Sequence, residues 1–486
     1  MQKIFYIILL WLGAIILSSL AYFSSTGFNS IWFGIWLAPI PILIFSYYRG
    51  VVLTFIAGVL IGLLGWASLF KYAYTLLPIH PIVVALILNA FCYGLILVIN
   101  RWLVKKLANC LAIFIFPCLI VMYEFLVMHV SPAGTVNSIA NTQVSNYPII
   151  QLVSLTGILG ISFIVSLLPA AISVAWYIRR KIIQSALSLT IMLLIIILVI
   201  VFGISRLHQY STSQTIMVGL AAAPTTINAM QATDNKTINH TIQQYQPVIA
   251  QLAKQGAKII VLPEKMITVN LNRSRMAEVS LAKLARQNKV ILVVGIRQIA
   301  EPDNENLVWV FGKNGSLIAT YQKQHLLPHA EANYVTGSQL MMIIVPQGII
   351  GIVICKDMDF INPAQHYGKI GAGLLLVPAL DFKIDYWYHA APAILQGVAN
   401  NYSIVRVAQW GLLSITNSNG LPIALQKTQS RAIAMLVAQV PIKTGQSYYA
   451  LHGNWFVWLV LGLLMALLLI AGFKQSKEKS KLFLKR

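Results

Sequence analysis

The chain has few charged residues, and acidic residues are especially rare. Of its 486 residues only 10% are charged, with 13 Asp and Glu against 35 Lys and Arg, while 58% are hydrophobic. Soluble globular domains have about a quarter of their residues charged, so this class is excluded. The net charge of +22 does not indicate nucleic-acid binding, because no stretch combines basic and aromatic residues in the pattern that such binding requires.

Cysteine is also scarce. Three of the four cysteines, Cys92, Cys110 and Cys118, lie in the hydrophobic first part, which leaves Cys355 alone in the long polar part. A disulfide framework in that part is therefore excluded. A lone thiol there is either an inert core residue or a reactive nucleophile, and the residue alone leaves both interpretations open. No Gly-rich phosphate loop and no HExxH motif stand out, so neither a cofactor nor a metal site is predicted.

The chain is instead rich in long hydrophobic segments. Eight of them are each long enough to cross ~30 Å of hydrocarbon. Glu124, within the fifth, is the only acidic residue before residue 208. A carboxyl at such a position faces a polar cavity, contributes to a site, or bonds to another helix. The segments lie at 4–22, 30–48, 51–70, 80–99, 109–129, 148–178, 182–204 and 455–473.

Basic residues concentrate in alternate loops, with Lys71 and Arg206 as the exceptions. The positive-inside rule then predicts that both termini are cytoplasmic and that the polar part lies on the periplasmic side of a bacterial inner membrane. The first segment could be a signal peptide cleaved after Ala21, but we interpret it as an uncleaved span. The basic residues are Lys3, Arg49, Arg101, Lys105, Lys106, Arg179, Arg180, Lys181, Lys474, Lys477, Lys479, Lys481, Lys485 and Arg486.

These observations predict three parts. Residues 1–207 form a bundle of seven transmembrane helices, residues 208–450 form an exported domain, and residues 451–486 form a last helix with a basic cytoplasmic tail. Strand and helix patterns alternate in the middle part, which is typical of a single α/β domain. Strands are predicted at 216–220, 258–262, 290–296, 341–345, 349–354, 374–377 and 404–407, and helices at 236–256 and 277–288.

Proline and glycine positions refine this pattern. Pro247 lies inside the first helix of the domain and predicts a kink or a late start. Asn314-Gly315 separates two alternating runs and predicts a β-hairpin, and Asn419-Gly420 predicts a second turn.

Three predicted strands end in a polar residue: Glu264, Lys323 and Cys355. A thiol needs a base to become a nucleophile, and a carboxylate can serve as that base. A nearby ammonium lowers the thiol pKa and stabilises the oxyanion that forms on attack. Together the three groups could catalyse acyl transfer, although each alone is commonly a solvated residue.

The motifs around these residues resemble a known superfamily. Leu262-Pro263-Glu264, Tyr321-x-Lys323-x-His325 and Ile354-Cys355-x-Asp357 have the order and rough spacing of the nitrilases, or carbon–nitrogen hydrolases. With seven hydrophobic segments before these motifs and one after, the chain resembles the apolipoprotein N-acyltransferases within that superfamily. The region of the fifth and sixth segments is also similar to that family, at Glu124, Pro132, Gly134, Gln143, Pro148, Gln151, Gly157, Gly160, Ser162 and Phe163.

The resemblance implies a fold and a reaction. The fold would be a nitrilase-like α-β-β-α sandwich attached to a membrane bundle of eight helices. Cys355 would be the nucleophile, Glu264 the general base and Lys323 the oxyanion stabiliser. Residues expected to bind substrate or support the site are Glu331, Asp357, Trp387 and Glu124.

The implied enzyme is a monomer without a cofactor. It would take a fatty acyl chain from a phospholipid donor as a thioester and pass it to the N-terminal amine of a diacylglyceryl-cysteine apolipoprotein.

The sequence departs from the family pattern after the nucleophile. Lys356-Asp357 stands where an aromatic residue and then Glu are usual, and 378–389 replaces an Asn-Asp-x-Trp-Phe segment. These residues would shape the acceptor side. Two alternatives therefore stay open: a membrane-tethered nitrilase-type amidase acting on a small amide, and a non-catalytic membrane scaffold.

Overall fold

The computed structural model describes residues 2–29, 31–70, 79–209, 214–270, 274–383, 385–428 and 432–483. The chain divides into two compact units. The first, here called the membrane unit, contains Met1–Ser131, Asn137–Leu207 and Asn454–Arg486. The second, here called the sheet unit, contains Pro132–Val136 and His208–Gly453. Among the basic residues used to predict topology, Lys71, Lys485 and Arg486 lie outside the described residues.

The membrane unit is helical. Within the described residues, six helices are long and apolar enough to cross a membrane, and the chain is a multi-pass membrane protein. Numbered along the whole chain, the helices of this unit are α1 Gln2–Ser25, α2 Gly34–Leu37, α3 Pro39–Tyr48, α4 Val51–Gly65, α5 Ile79–Leu107, α6 Ile115–Val130, α7 Tyr147–Ile150, α8 Val153–Thr156, α9 Ile158–Tyr177, α10 Ile182–Leu207 and α17 Trp455–Phe483.

Two predicted segments are shorter in the structure than in the sequence pattern. The segments at 30–48 and 51–70 form the shorter apolar helices Gly34–Tyr48 and Val51–Gly65, so the count of eight spans is not confirmed. The prediction of one continuous span at 148–178 is wrong. Short helices come first there, and the long helix α9 begins only after Gly157, whose φ of +71° belongs to a region that side-chain-bearing residues avoid.

The described part of the sheet unit contains two mixed sheets. One has the strand order β13-β1-β2-β4-β5-β6 with β3 also paired to β4, and the other has the order β12-β11-β10-β9-β8-β7. The strands are β1 Gln214–Ala222, β2 Ile259–Val261, β3 Ile267–Asn270, β4 Ile291–Ile299, β5 Glu305–Phe311, β6 Leu317–Gln322, β7 Met341–Val345, β8 Gly348–Ile352, β9 Leu374–Leu380, β10 Ser403–Gln409, β11 Leu412–Thr416, β12 Pro422–Lys427 and β13 Ala434–Ile442.

Helices cover the outer faces of the two sheets. On β1, Val218 and Leu220 point into a core shared with the second sheet, while Ala221 points to the helices on the other side. This alternation is what a strand between two apolar layers requires. The predicted α-β-β-α sandwich is therefore confirmed. The helices of this unit are α11 Ile227–Gln231, α12 Asn235–Lys254, α13 Ser274–Asn288, α14 Ala364–Lys369, α15 Tyr386–Asn400 and α16 Tyr448–His452.

Most local predictions in this unit are confirmed, with one correction. The hairpin at Asn314-Gly315 joins β5 to β6, and Gly315 has a φ of +86°. The prediction of a late start for the helix that contains Pro247 is wrong, because α12 begins at Asn235 and continues past the proline. Asp234 accepts a hydrogen bond from the Thr237 N–H at 2.8 Å and so caps the helix at its predicted beginning.

A buried ion pair joins two neighbouring strands of the second sheet. Arg406 of β10 is 1% exposed and donates two hydrogen bonds to the Asp381 carboxylate, at 2.8 and 2.5 Å. Asp381 follows β9 and is fully buried. A guanidinium at this depth depends on its partner, because loss of one member leaves an uncompensated buried charge.

We therefore predict that Asp381→Ala lowers the thermal unfolding midpoint of the detergent-solubilised protein by roughly 10 °C, since breaking a buried pair costs about 3–5 kcal/mol. The exposed acid Glu301 supplies the control, and Glu301→Ala leaves the midpoint close to that of the wild type. A double variant, Asp381→Leu/Arg406→Met, recovers part of the loss. Equal midpoints for the two single variants would contradict this account.

Candidate active site

Glu264 lies three residues after β2, at the carboxyl end of a parallel strand. Its side chain is buried, with 2% exposure. Gly295 of the neighbouring strand β4 lies directly against this loop, and a Cβ there would stand 2.5 Å from the Glu264 Cα. Only glycine allows this approach, so the sequence of β4 helps to fix where the Glu264 backbone runs.

Lys323 directly follows β6, and its ammonium contacts two acids of the predicted site, Glu264 and Glu331. Its Nζ donates to Glu264 Oε1 at 2.9 Å and to Glu331 Oε2 at 3.0 Å. Burial alone would lower the pKa of Lys323, but the two carboxylates outweigh burial and hold the pKa well above its usual range. The ammonium therefore stays charged at neutral pH.

Glu331 lies in the loop after β6 and is also buried. Its oxygens accept hydrogen bonds from the Leu327 N–H at 2.7 Å and from Lys265 Nζ, in addition to Lys323. Burial by itself would raise the pKa of Glu331. The ammonium groups of Lys323 and Lys265 and these hydrogen bonds outweigh it and lower the pKa to about 2.

Asn306 is a site residue that sequence reasoning missed. It is fully buried in β5, and its Nδ2 donates to Glu264 at 2.7 Å and to Glu331 at 2.8 Å. The amide thus connects the two carboxylates through oxygens that also accept hydrogen bonds from Lys323 and Lys265. The available signal was an asparagine at the start of an otherwise apolar strand, Asn306-Leu-Val-Trp-Val-Phe311, where a buried polar group must have partners.

Cys355 begins a 3₁₀ turn, Cys355–Asp359, three residues after β8. It has a φ of +40°, and its sulfur lies 3.9 Å from the Leu380 carbonyl oxygen. Burial raises the pKa of the Cys355 thiol well above its usual range, and the charge of Glu264 raises it further, against the opposing effects of Lys323 and Arg406. The structure thus brings Glu264 and Lys323 together, and the charges of both affect the pKa of the Cys355 thiol.

Asp357 supports the loop between these groups. It is fully buried, and its carboxylate accepts hydrogen bonds from the Tyr321 hydroxyl at 2.8 Å and from the backbone N–H groups of Ile354 and His325 at 3.0 and 2.8 Å. The Asp357 carboxylate therefore links the turn that contains Cys355 to the end of β6, the strand that Lys323 directly follows.

Within the described residues, the two remaining predicted residues have no hydrogen bond to Glu264, Lys323 or Cys355. Trp387 is half-buried in α15, and no hydrogen bond or ring contact within the described residues links it to Glu264, Lys323 or Cys355. Glu124 belongs to the membrane unit, where it accepts hydrogen bonds from Ser138 at 2.8 Å, from the Ile139 N–H at 2.8 Å and from Ser162 at 2.5 Å. These bonds favour the interpretation of Glu124 as a link between helical segments.

Comparisons with known proteins agree with both units. A family described as Carbon-nitrogen hydrolase matches residues 226–431, and one described as Apolipoprotein N-acyltransferase N-terminal domain matches residues 15–171. The apolipoprotein N-acyltransferase of Geobacter metallireducens is 24% identical over 356 residues, which cover 66% of this chain and 67% of that protein.

Amidases are also among the proteins to which the chain is similar. Omega-amidase NIT2 of Danio rerio is 30% identical over 154 residues, covering 27% of this chain and 55% of its own length. Among solved structures, an amidase from Nesterenkonia sp. has 19% sequence identity and a TM-score of 0.41, covering 49% of this chain and 96% of that one.

The lowered pKa of Glu331 predicts how stability depends on pH. A carboxyl whose folded-state pKa is below its ordinary value of 4.5 contributes stability above that value and loses it as pH falls through the folded-state pKa. The thermal midpoint of the wild type therefore falls as pH decreases from about 4.5 towards about 2. In Glu331→Gln, which cannot titrate at this position, the midpoint falls less steeply over the same interval.

The measurement is tryptophan fluorescence during heating of the detergent-solubilised protein at a series of pH values. Glu301→Gln, at an exposed position, serves as control and keeps the wild-type slope. Identical slopes for wild type and Glu331→Gln would mean that this carboxyl is not stabilised by its neighbours.

Proposed function

Because the chain belongs to the apolipoprotein N-acyltransferases of the carbon–nitrogen hydrolase superfamily, we propose that it moves a fatty acyl chain from a phospholipid through Cys355 to the N-terminal amine of a lipoprotein. Lipoprotein N-acylation is the activity that the relatives of both units support. The single observation that carries the residue assignment is the buried Lys323 ammonium, which is bonded to Glu264 and Glu331 and whose charge acts on the pKa of the Cys355 thiol.

In the first step, the Cys355 sulfur attacks the ester carbonyl carbon of the phospholipid while Glu264 takes the thiol proton. The carbonyl oxygen becomes an oxyanion, and the fixed charge of Lys323 stabilises it. The C–O bond to the glycerol then breaks. Glu264 returns the proton to the departing alkoxide, which leaves a lysophospholipid and an acyl thioester on Cys355.

In the second step, the N-terminal amine of the acceptor attacks the thioester carbonyl. Glu264 takes a proton from the amine, the C–S bond breaks, and the proton passes to the sulfur as it leaves. The products are an amide and the starting thiol. Two steps at one nucleophile let the donor and the acceptor occupy the site in turn.

The raised pKa of the Cys355 thiol means that, in this scheme, a base must remove the thiol proton for the sulfur to attack. The thiol stays protonated at neutral pH, so attack requires proton removal by a base that lies close to the sulfur. Lys323 stays charged through the whole cycle because its own pKa is raised by two carboxylates. The site therefore combines a neutral nucleophile with a permanently charged oxyanion partner.

The membrane unit supports acyl transfer over hydrolysis of a small amide. A soluble amide reaches a soluble enzyme without any membrane segment, whereas both lipid-borne substrates are confined to the bilayer. The match of residues 15–171 to the acyltransferase N-terminal domain points the same way. The distribution of basic residues supports an orientation with the sheet unit on the periplasmic side of the inner membrane, and we propose that the enzyme works there as a monomer.

The experiment offers the purified protein phosphatidylethanolamine with a labelled acyl chain and then a diacylglyceryl-cysteine peptide. We expect the wild type to bind the label at Cys355 and to pass it to the peptide. Cys355→Ala takes up no label, and Lys323→Met slows labelling by about a hundredfold or more, since it removes the oxyanion partner. The matched control is Cys110→Ala, which removes a buried thiol in the membrane unit and retains labelling.

Two outcomes would contradict the proposal. Full labelling of Cys355→Ala would exclude this residue as the nucleophile. Release of ammonia from a small amide such as glutaramate, without any lipid label on the protein, would favour the amidase alternative.

A further inference from the structure

Five residues that follow a membrane helix in the chain are part of the sheet unit. Pro132–Val136 comes directly after α6 and its next residue, Ser131, yet it groups with residues 208–453. Within the sheet unit, the Thr135 N–H donates to the Asp359 carbonyl oxygen at 2.7 Å, and the Thr135 Oγ1 donates to the same oxygen at 2.9 Å. Asp359 is the last residue of the turn that begins with Cys355.

Gly134 lets this segment approach the turn closely. A Cβ on Gly134 would stand 2.3 Å from the Asp359 carbonyl oxygen and 3.1 Å from the Phe360 ring, and its φ is +56°. Any other residue would collide with the backbone of the turn and would also be strained. Gly134 and Thr135 therefore both contact the Asp359 carbonyl group. Gly134 leaves room for its oxygen, and Thr135 donates hydrogen bonds to that oxygen.

The turn needs external support because of its conformation. Cys355 has a φ of +40°, in a region that residues with a Cβ rarely adopt unless the surroundings hold them there. Asp357 fixes the middle of the turn through Tyr321 and His325. Thr135 fixes its last residue, so the turn is held at two separate points.

We propose that Pro132–Val136 is a positioning element for the nucleophile, in which Gly134 and Thr135 hold the Asp359 carbonyl and thereby set the direction of the Cys355 sulfur. This inference rests on the proposed role of Cys355. Thr135 acts through the turn and does not touch the reacting atoms. This positioning role belongs to a segment that lies outside residues 226–431, the part of the chain that matches the hydrolase family.

The test compares Thr135→Val with Thr135→Ser in the full-length, detergent-solubilised protein. Valine has nearly the shape of threonine but no hydroxyl, so it removes the Oγ1 bond and keeps the backbone bond, whereas serine keeps both. The first readout is the rate at which iodoacetamide alkylates Cys355, followed by mass spectrometry of the peptide that contains it. The second is the maximal rate and the KM of acyl-enzyme formation from labelled phosphatidylethanolamine.

The chain offers a closely matched control. The N–H and Oγ1 of Thr428 both donate to one carbonyl oxygen, that of Gly411, at 3.0 and 3.1 Å. Thr428→Val therefore removes the same kind of bond at a carbonyl outside the Cys355–Asp359 turn. Comparing the two valine variants at similar losses of thermal stability separates positioning of the sulfur from a general loss of structure.

We expect Thr135→Val to lower the alkylation rate and the maximal acylation rate on the order of five- to tenfold, as loss of one hydrogen bond allows, with KM unchanged. Thr135→Ser restores both rates, and Thr428→Val leaves both at the wild-type value. Gly134→Ala lowers them further, because the Asp359 carbonyl must move. The inference is overturned if Thr135→Val lowers the thermal midpoint but slows neither reaction, or slows them no more than Thr428→Val does.

The two proposals fail separately. If the wild type forms no acyl-enzyme from phosphatidylethanolamine while Thr135→Val still slows alkylation of Cys355, positioning stands and the proposed donor is wrong. If the wild type forms the acyl-enzyme and the Thr135 variants match it in both rates, the function stands and the positioning role is wrong.

Discussion

The arrangement of the candidate site depends on one buried ammonium that is bonded to two carboxylates. Lys323 is 3% exposed, and a charge at that depth is tolerated only when its neighbours compensate it. Glu264 and Glu331 supply carboxylates against it, and the amide of Asn306 and, at Glu331, the ammonium of Lys265 donate further hydrogen bonds to these carboxylates. These bonds fix the groups against one another in the absence of substrate, as the oxyanion role proposed for Lys323 requires.

The sequence alone predicts those residues of the candidate site that belong to a recognisable local pattern. An apolar run that ends in a polar residue identified Glu264, Lys323 and Cys355, because a buried strand and the residue after it are read within a few positions. Asn306 was not found in this way, since its partners come from loops 42 and 25 residues away. The pairing of β13 with β1 joins strands about two hundred residues apart and has no local signal either.

The same contrast applies to the membrane unit. Hydrophobic content located each apolar segment, because crossing hydrocarbon imposes a composition. It did not locate the break before α9, which depends on the conformation of Gly157 rather than on hydrophobicity. It identified Glu124 as unusual but left its partners open. Ser138 and Ser162 are ordinary residues in the sequence, and only the packing of the segments shows that they satisfy the carboxylate.

The presence of Pro132–Val136 in the sheet unit has a consequence for any fragment of this chain. A fragment that began at His208 would lack five residues of its own folded unit, including the donor to Asp359. Under the positioning role proposed for Thr135, the Cys355 turn of such a fragment would lack one of its two supports, and we expect its thiol to be less well oriented than in the whole chain.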